Sequence, residues 1–137
     1  MALEVLVTTP DGTIWRGEAV KVVVPAADGE LGILPRHAPL IGALGVGELR
    51  IAPTGGPNIS ILVSGGFVHV LRNKVTVLPS RAEQVATIDL PRAEEELRLL
   101  LAEALPAGIG GEARNVRMEK LKLARARVKL GKKKRAG

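Results

Sequence analysis

Side chains that could carry out chemistry are few in this sequence, and their spacing matches no catalytic template. His37 and His69 lie on separate segments, and neither has acidic residues at the spacing of a metal site or an acid–base pair. Ser64 is followed by two glycines, but residue 62 is Leu, so the Gly-x-Ser-x-Gly nucleophile motif is absent. The chain has no Cys. We therefore expect no catalytic residue and no metal site, and we predict a protein that is not an enzyme.

Motifs that bind phosphate or catalytic zinc are missing as well. The sequence contains no Walker-type phosphate loop, no Gly-x-Gly-x-x-Gly after a strand and no His-Glu-x-x-His. The acidic run Glu94-Glu95-Glu96 near the start of a predicted helix suits the positive end of the helix dipole, so we interpret it as a solvated surface. Glu94 and Arg98 have the spacing of an i,i+4 ion pair.

The first 80 residues show the period-two alternation of half-buried antiparallel strands. The alternating apolar positions include Val5, Val7, Val20, Val22, Val24, Leu49, Ile51, Ile61, Val63, Val68, Val70, Val75 and Val77. Turn-forming sequences such as Asp11-Gly12 and Asp28-Gly29 separate them. The intervals are too short for crossover helices, so the pattern predicts a β-sandwich or a flattened barrel.

A helical pattern begins near residue 88. Asp89 can cap a helix whose apolar stripe includes Ala93, Leu97, Leu100, Leu101 and Ala104, and Pro106 with the following glycines would end it. A second helix is predicted from about residue 112 to about Leu130, with Ala113, Met118, Leu121, Ala124 and Val128 as its stripe. A short connection makes the pair an antiparallel hairpin. The predicted organisation is a β-sandwich domain over 1–86, a two-helix hairpin over 87–130 and a disordered basic tail over 131–137.

Charge is divided unequally along the chain. The net charge is +6, yet residues 112–137 contain 11 Lys and Arg against 2 Glu, which leaves −3 for the first 111 residues. Only the C-terminal segment therefore predicts an acidic partner. No apolar run approaches the roughly 20 residues of a membrane span, so no membrane insertion is expected.

The segment Gly29 to Leu40 (GELGILPRHAPL) does not follow strand periodicity and reads as a rigid surface loop. This segment, with VTTPDGTIWRG at 7–17, VSGGFVHV at 63–70, KVTVL at 74–78 and IDLPRA at 88–93, resembles the epsilon subunit of F-type ATP synthases of the bacterial type. The resembling stretches follow the family's order across residues 1–93, whereas the helical remainder is similar in architecture and only loosely in residues.

The resemblance implies a sandwich of about ten strands with a C-terminal helical hairpin. It also implies a non-catalytic rotor subunit of the central stalk that couples the gamma subunit to the c-ring during proton-driven ATP synthesis. The expected location is peripheral, at the cytoplasmic face of the bacterial inner membrane. The residues expected at the gamma or c-ring contact are Glu30, Leu31, Leu34, Arg36, His37 and Leu40.

The resemblance further implies that the hairpin inhibits ATP hydrolysis when it extends toward the catalytic alpha and beta subunits. The candidates for contact with the beta subunit are Arg114, Arg117, Lys120, Arg125 and Arg127. No cofactor is required, but some family members bind regulatory ATP. The matching positions here are Glu83, Ile88, Asp89, Arg92, Ala93, Arg125 and Lys129. Lys129 stands where an arginine is usual and loses the bidentate geometry of a guanidinium; Pro91 and the glycines at 108–111 are further departures.

The alternative from a different class is a nucleic-acid-binding β-domain with a basic C-terminal arm. A segment of +9 could neutralise several phosphates. Aromatic side chains for base stacking are almost absent, since Trp15 and Phe67 are the only ones, and residues 1–111 carry a net charge of −3. The sequence therefore favours a protein partner over nucleic acid.

Overall fold

The computed structural model describes residues 2–103 and 110–136, with the side chains of 135 and 136 left out. The chain divides into two compact units, Met1–Gln84 and Val85–Gly137. The first unit contains all of the strands described, and the second contains the helices described. Both classes of structure predicted from the sequence are confirmed: a β-sandwich followed by a helical hairpin.

Seven strands form the first unit. They are β1 (Leu3–Thr9), β2 (Gly12–Ala26), β3 (Gly29–Ile33), β4 (Leu40–Ala43), β5 (Val46–Pro53), β6 (Ile59–Leu71) and β7 (Lys74–Gln84). Their order is β1-β7-β6-β5-β2-β3, β4 pairs with β6, and β1 also pairs with β2. Because β1 joins both β7 and β2, the sheet closes on itself. The β1–β7 pairing is parallel, and the other pairings are antiparallel.

The described strands are fewer than the ten or so that the resemblance implies, because the long strands β2 and β6 continue through a change of partner and each pair with three neighbours. β2 pairs through Gly12 to Ala19 with β1 and through Val22 to Ala26 with β3. β6 pairs with β5 before Gly65 and with β4 after Gly66. A sequence pattern sees each half as a separate strand, whereas the backbone continues through the change of partner.

The hydrophobic core lies inside this closed sheet, on the inward-facing side of its strands. Sixteen buried apolar side chains form it, from Leu3 to Val77 along the chain. The predicted alternation is confirmed at most positions but is wrong at Val20, which is exposed. A register irregularity between Ala19 and Lys21 turns Ala19 inward and Val20 outward. Such a bulge inserts one residue and reverses the side-chain phase for that step.

Two glycines explain how β6 changes partner. Gly65 and Gly66 have φ angles of 68° and 99°, in the left-handed region that other residues avoid. A Cβ on Gly66 would lie 2.0 Å from the Leu78 carbonyl oxygen. The SGGF sequence is therefore required by backbone geometry, and it sets the direction of the strand segment that follows.

The second unit begins with a 3₁₀ turn (Val85–Thr87) and continues with α1 (Leu90–Ala102) and α2 (Gly111–Ala136). Asp89 caps α1 as predicted: its carboxylate accepts a hydrogen bond from the Arg92 amide at 3.3 Å. Ala93, Leu121, Ala124 and Val128 are buried, whereas Met118 is 54% exposed. The buried apolar positions of α2 thus begin at Leu121 and continue toward its C-terminus.

Two details of the helical prediction differ from the structure. α2 continues to Ala136, so residues 131–136 are helical where a disordered tail was predicted. Gly131 packs closely against Ile88 and Leu90, and Lys134 donates hydrogen bonds to the Ala86 and Ile88 carbonyls, which gives the last turns a reason to form. Arg98 pairs with Glu95 at 2.6 Å and not with Glu94. The predicted end of the first helix, at Pro106 and Gly108, lies outside the described residues.

Candidate functional site: an apolar face and a docking loop

A group of large apolar side chains lies exposed on the outside of β4, β6 and β7. Phe67 pairs directly with Leu78 across β6 and β7, and Ile41 pairs with His69, one pleat further along β6. Leu71 has the same parity on β6 as Phe67, so it projects from the same face. We call these four residues the outer apolar face; their exposed fractions are 74% for Ile41, 60% for Phe67, 45% for Leu78 and 41% for Leu71.

The strand change at Gly65–Gly66 positions this face. Because β6 turns from β5 to β4 at the glycines, Phe67 emerges outward while Val68 and Val70 enter the core. An open depression of about 320 Å³ adjoins Phe67 and Leu78 and is lined also by Thr8, Thr9, Pro10, Gly66, Pro79 and Ser80. The arrangement can receive an apolar side chain from a partner, since exposed apolar patches of this kind mark interaction sites.

The docking loop, defined as residues 34–39, connects β3 to β4. Leu34 is 55% exposed, and Arg36 is exposed with a φ of 69°. The His37 amide donates to the Leu34 carbonyl at 3.1 Å, which closes a turn. The His37 Nδ1 atom lies 2.7 Å from the Ala38 carbonyl oxygen, so the ring is held against its own backbone. The loop is therefore ordered and presents Leu34 and Arg36 outward.

The six residues predicted at the gamma or c-ring contact divide into two groups. Leu31 and Leu40 pack against the sandwich core and are only partly accessible. Glu30, Leu34 and Arg36 are exposed, and His37 is half-buried. The structure thus leaves the second group available to a partner, whereas Leu31 and Leu40 chiefly support the strands at either end of the loop.

Glu30 lies in a polar network on neighbouring strands. The Arg50 guanidinium contacts Glu30 at 2.8 and 3.4 Å, and it also reaches Glu48 at 3.4 Å. Ser60 donates a hydrogen bond to Glu48 at 2.5 Å. Hydrogen bonding to Glu30 raises the pKa of Arg50 above its usual value, so this side chain stays charged. The network fixes the Glu30 carboxylate beside the exposed Asp28–Gly29 turn.

The four arginines and one lysine predicted to contact the beta subunit occupy two different environments. Arg114, Lys120 and Arg125 are exposed on α2. Arg117 instead donates to the carbonyls of Leu100 and Glu103 at 2.8 and 2.6 Å, at the end of α1. Arg127 contacts the Glu96 carboxylate at 2.6 Å. Two of the predicted partner contacts are thus already used inside the hairpin.

The residues matched to the ATP motif are not gathered into one described pocket. Glu83 lies near the end of β7, in the first unit. In the second unit Ile88 and Ala93 are buried, Asp89 caps α1, and Arg92 lies 3.4 Å from Glu96. Arg125 and Lys129 are exposed on α2, whereas Arg127 on the same helix contacts Glu96 of α1. ATP binding stays a prediction.

Within residues 2–103 and 110–136, no group of three or more His, Cys, Asp or Glu side chains is placed to hold a metal ion. No helix in this part of the chain has both the length and the hydropathy needed to cross a membrane.

Sequence reasoning missed Ile41, Phe67 and Leu78 as functional candidates. Phe67 belongs to the VSGGFVHV segment on which the family resemblance rests. Its alternation with Val68, which is buried, indicates that the Phe67 side chain points away from the core. A large apolar residue at an outward position is the signal that could have identified the outer apolar face.

Comparison with known proteins agrees with this architecture. Residues 2–85 match the family model described as the beta-sandwich domain of the ATP synthase delta/epsilon chain. An ATP synthase epsilon chain from Thermosynechococcus vestitus is 37% identical over 131 residues, covering 95% of this chain and 94% of the relative. Another, from Solibacter usitatus, is 44% identical over 108 residues, covering 79% and 80%.

Solved structures show the same fold. A chain in the Euglena gracilis mitochondrial ATP synthase structure, which contains OSCP, F1 and the c-ring, superposes with a TM-score of 0.78 at 21% identity, covering 91% of this chain and 78% of that one. A chain from the central stalk and c-ring of the Tetrahymena thermophila mitochondrial ATP synthase gives a TM-score of 0.68 at 18% identity, covering 93% and 97%. These relatives give no support to the nucleic-acid alternative. The chain belongs to the ATP synthase delta/epsilon family.

Proposed function

We propose that this chain is the epsilon subunit of an F-type ATP synthase, a central-stalk protein that binds the gamma subunit and the c-ring. The family match over residues 2–85 and the epsilon-chain relatives that align over as much as 95% of the chain support this role. The observation that carries it is the outer apolar face, because a stalk subunit must be held by a partner firmly enough to transmit torque. The subunit performs no chemistry itself.

The gamma subunit docks on the outer apolar face and the docking loop. Four exposed apolar side chains on a rigid sheet offer a preformed surface, so docking orders few groups and loses little conformational entropy. Phe67 is the expected anchor, since an aromatic side chain beside a depression has the features of an interface hot spot.

Co-purification with the gamma subunit of the same organism tests this proposal. At about 0.5 M salt exposed charges are largely screened, so an apolar interface persists whereas attraction to the basic helix does not. Phe67→Asp is expected to weaken the complex by about 30-fold or more, because a buried carboxylate replaces an aromatic anchor.

Val20→Asp supplies the matched control. Val20 is also an exposed apolar residue of the sandwich, at 47%, but it lies on β2 outside the outer apolar face. The Val20→Asp substitution should leave the affinity for the gamma subunit unchanged. A complex that dissolves in salt, or one that tolerates Phe67→Asp, would contradict docking on this face.

The c-ring contact is proposed for Glu30 and the turn before it. Glu30 keeps an exposed carboxylate whose direction is set by Arg50, and Asp28 is exposed two residues earlier. This acidic tip suits a basic loop of a partner. Glu30→Gln should weaken association with the c-ring at low salt and have less effect at high salt, which an ionic-strength series in reconstituted enzyme would measure.

Inhibition of ATP hydrolysis by the hairpin is a separate proposal. Arg114, Lys120 and Arg125 are exposed on α2 and could meet acidic segments of the catalytic subunits. Removing residues 107–137 should raise the ATPase rate of the assembled enzyme without preventing assembly. An unchanged rate in an intact complex would contradict the inhibitory role.

Binding of regulatory ATP is proposed from the match of Ile88, Asp89, Arg92 and Ala93 to the family motif. Isothermal titration of the chain with ATP, alongside Arg92→Ala, would test it.

Location at the cytoplasmic face of a bacterial inner membrane is likewise proposed, and it is supported by the bacterial epsilon chains among the relatives.

A further inference from the structure

Asn73 connects three segments of the sandwich that are distant in sequence. It occupies the two-residue turn between β6 and β7, where Leu71 pairs with Lys74. Its backbone carbonyl accepts a hydrogen bond from the Glu4 amide at 2.8 Å, at the start of β1. Its side-chain Oδ1 accepts a hydrogen bond from the Arg36 amide at 2.7 Å, in the docking loop. One residue thus joins β1, the β6–β7 turn and the loop.

The turn alone does not explain the choice of asparagine. Arg72 and Asn73 have φ angles of 48° and 64°, the left-handed pair of a type I′ turn. Glycine is favoured at the second position of such a turn because it has no Cβ to strain. Asn tolerates the conformation less well than glycine but adds a side-chain carbonyl, and here that carbonyl is used 37 residues away.

The docking loop needs such a restraint. Arg36 has a φ of 69°, a conformation that a long side chain adopts only when its surroundings hold it there. The bond to Asn73 fixes the amide of this residue. Leu34 and Arg36, on either side of Pro35, are exposed, so the directions of their side chains depend on this conformation.

We propose that Asn73 is a positioning residue that holds the docking loop in the conformation presented to the gamma subunit. The inference rests on the proposed function. Asn73 lies one residue after Arg72 and two after Leu71 of the outer apolar face, so its bond to Arg36 also ties the loop to one end of that face. A loop held in advance loses less freedom on docking, and affinity rises accordingly.

Two substitutions distinguish the role of the Asn73 side chain as a hydrogen-bond acceptor from its role in the turn. Asn73→Gly keeps the left-handed turn and removes the acceptor, whereas Asn73→Asp keeps an acceptor at the same position. Arg72→Asn is the control, because it changes the adjacent turn residue and leaves the Asn73 side chain intact. Each variant is measured for hydrogen exchange of the Arg36 amide by NMR, for unfolding followed by Trp15 fluorescence, and for gamma affinity.

The expected result is specific to Asn73→Gly. Exchange of the Arg36 amide should rise about tenfold and the Kd for gamma about fivefold, the scale of one lost hydrogen bond. Asn73→Asp and Arg72→Asn should stay within about twofold of the original chain in both measurements. Unchanged exchange in Asn73→Gly, or faster exchange with an unchanged Kd, would overturn the inference.

Leu34→Ala distinguishes a failure of this inference from a failure of the proposed docking site. If Leu34→Ala weakens gamma binding and Asn73→Gly does not, the loop contacts gamma but Asn73 does not position it for that contact. If neither substitution weakens binding, the loop is not at the gamma interface, and the proposed docking site fails together with the inference.

Discussion

The sandwich and the helical hairpin are stabilised by different means. In the sandwich, 16 apolar side chains are buried in one cluster, and most of them are fully inaccessible. Among the residues of the second unit that the structure describes, fewer apolar side chains are buried: Val85, Ile88, Leu90, Ala93, Leu121, Ala124, Val128 and Leu130. Its helices are joined in addition by charged contacts, among them Arg127 to Glu96 and Arg117 to the last carbonyls of α1.

This difference suits two different tasks. A core of interlocked apolar side chains resists deformation, which a body that transmits torque requires. Half-exposed ionic contacts contribute little each and are weakened by salt, so a hairpin that depends on them can open at low cost. The sandwich should therefore behave as a rigid docking body and the hairpin as an adjustable one.

The largest effect is expected from Gly66→Ala in the sandwich. The added Cβ would meet the Leu78 carbonyl at 2.0 Å, and the φ of 99° is itself unfavourable for alanine. The backbone of β6 or β7 must move, so the free energy of unfolding should fall by at least about 3 kcal/mol. Urea unfolding followed by the fluorescence of Trp15, which packs against the sandwich core, measures this.

Gly65→Ala is the matched control for Gly66. It has a similar left-handed φ of 68°, but its Cβ would meet only the Ser80 side chain, at 3.3 Å. A loss of about 1–2 kcal/mol is expected from backbone strain alone. Equal losses for the two alanines would show that the close approach to β7 is relieved without cost and that the sandwich is less rigid than proposed.

The next largest effect is expected from replacing a buried leucine in each unit, Leu49 in the sandwich and Leu121 in the hairpin, and comparing the two losses of stability. Leu49 is 0% exposed in the sandwich core, and Leu121 is 9% exposed between the helices. Leu49→Ala should cost about 3–4 kcal/mol and Leu121→Ala about 1–2 kcal/mol, because the hairpin can collapse around a smaller side chain. Trp15 fluorescence reports the first loss and helical circular dichroism the second. Equal losses would remove the contrast between the two units.

Most of this contrast could be inferred from sequence, for reasons that particular residues illustrate. Period-two alternation identified the core positions from Val5 to Val77 because a strand has only two faces. It was wrong at Val20, since one inserted residue at a bulge reverses the phase and leaves no local signal. The change of partner at Gly65–Gly66 was also invisible, so the long β6 was counted as more than one strand.

The hairpin was predicted less accurately because its determinants are not local. The cap at Asp89 depends on neighbours in sequence and was predicted correctly. The helical turns after Leu130 depend on Lys134 reaching carbonyls 46 and 48 residues away, which composition reads only as a basic tail. Arg117 and Arg127 likewise have the composition of a partner surface, and only the packing of α1 against α2 shows that they are used internally.

A smaller effect is expected from the ionic contact between the helices. Arg127 and Glu96 are 2.6 Å apart, with side chains 20% and 44% exposed. Arg127→Glu should reduce the free energy of hairpin unfolding by about 1 kcal/mol, through a lost ion pair and a new repulsion, and Glu96→Arg in the same chain should restore part of it.

The salt dependence of the melting temperature is a second measurement of the ionic contact between Arg127 and Glu96. Raising the ionic strength from about 0.05 to 0.5 M should lower the melting temperature of the original hairpin and leave the Trp15-reported sandwich transition unchanged. The double variant should respond to salt as the original does. A sandwich that loses stability with salt in parallel would mean that the two units do not differ in this respect.

The smallest effect concerns one carboxylate on α1. A hydrogen bond from Arg98 lowers the pKa of Glu95 below its usual value, and the opposite charge of the guanidinium acts in the same direction. Because the folded-state pKa is the lower one, the pair stabilises α1 at pH values above the unfolded pKa. That contribution is lost as pH falls through the lowered folded-state pKa. NMR titration of the Glu95 carboxyl should show the lowered pKa, and Arg98→Gln should return that pKa to the ordinary range. If Glu95 kept its lowered pKa without Arg98, the helix dipole and not the ion pair would be its cause, and the charged surface of α1 would contribute less to the hairpin than the contacts with α2.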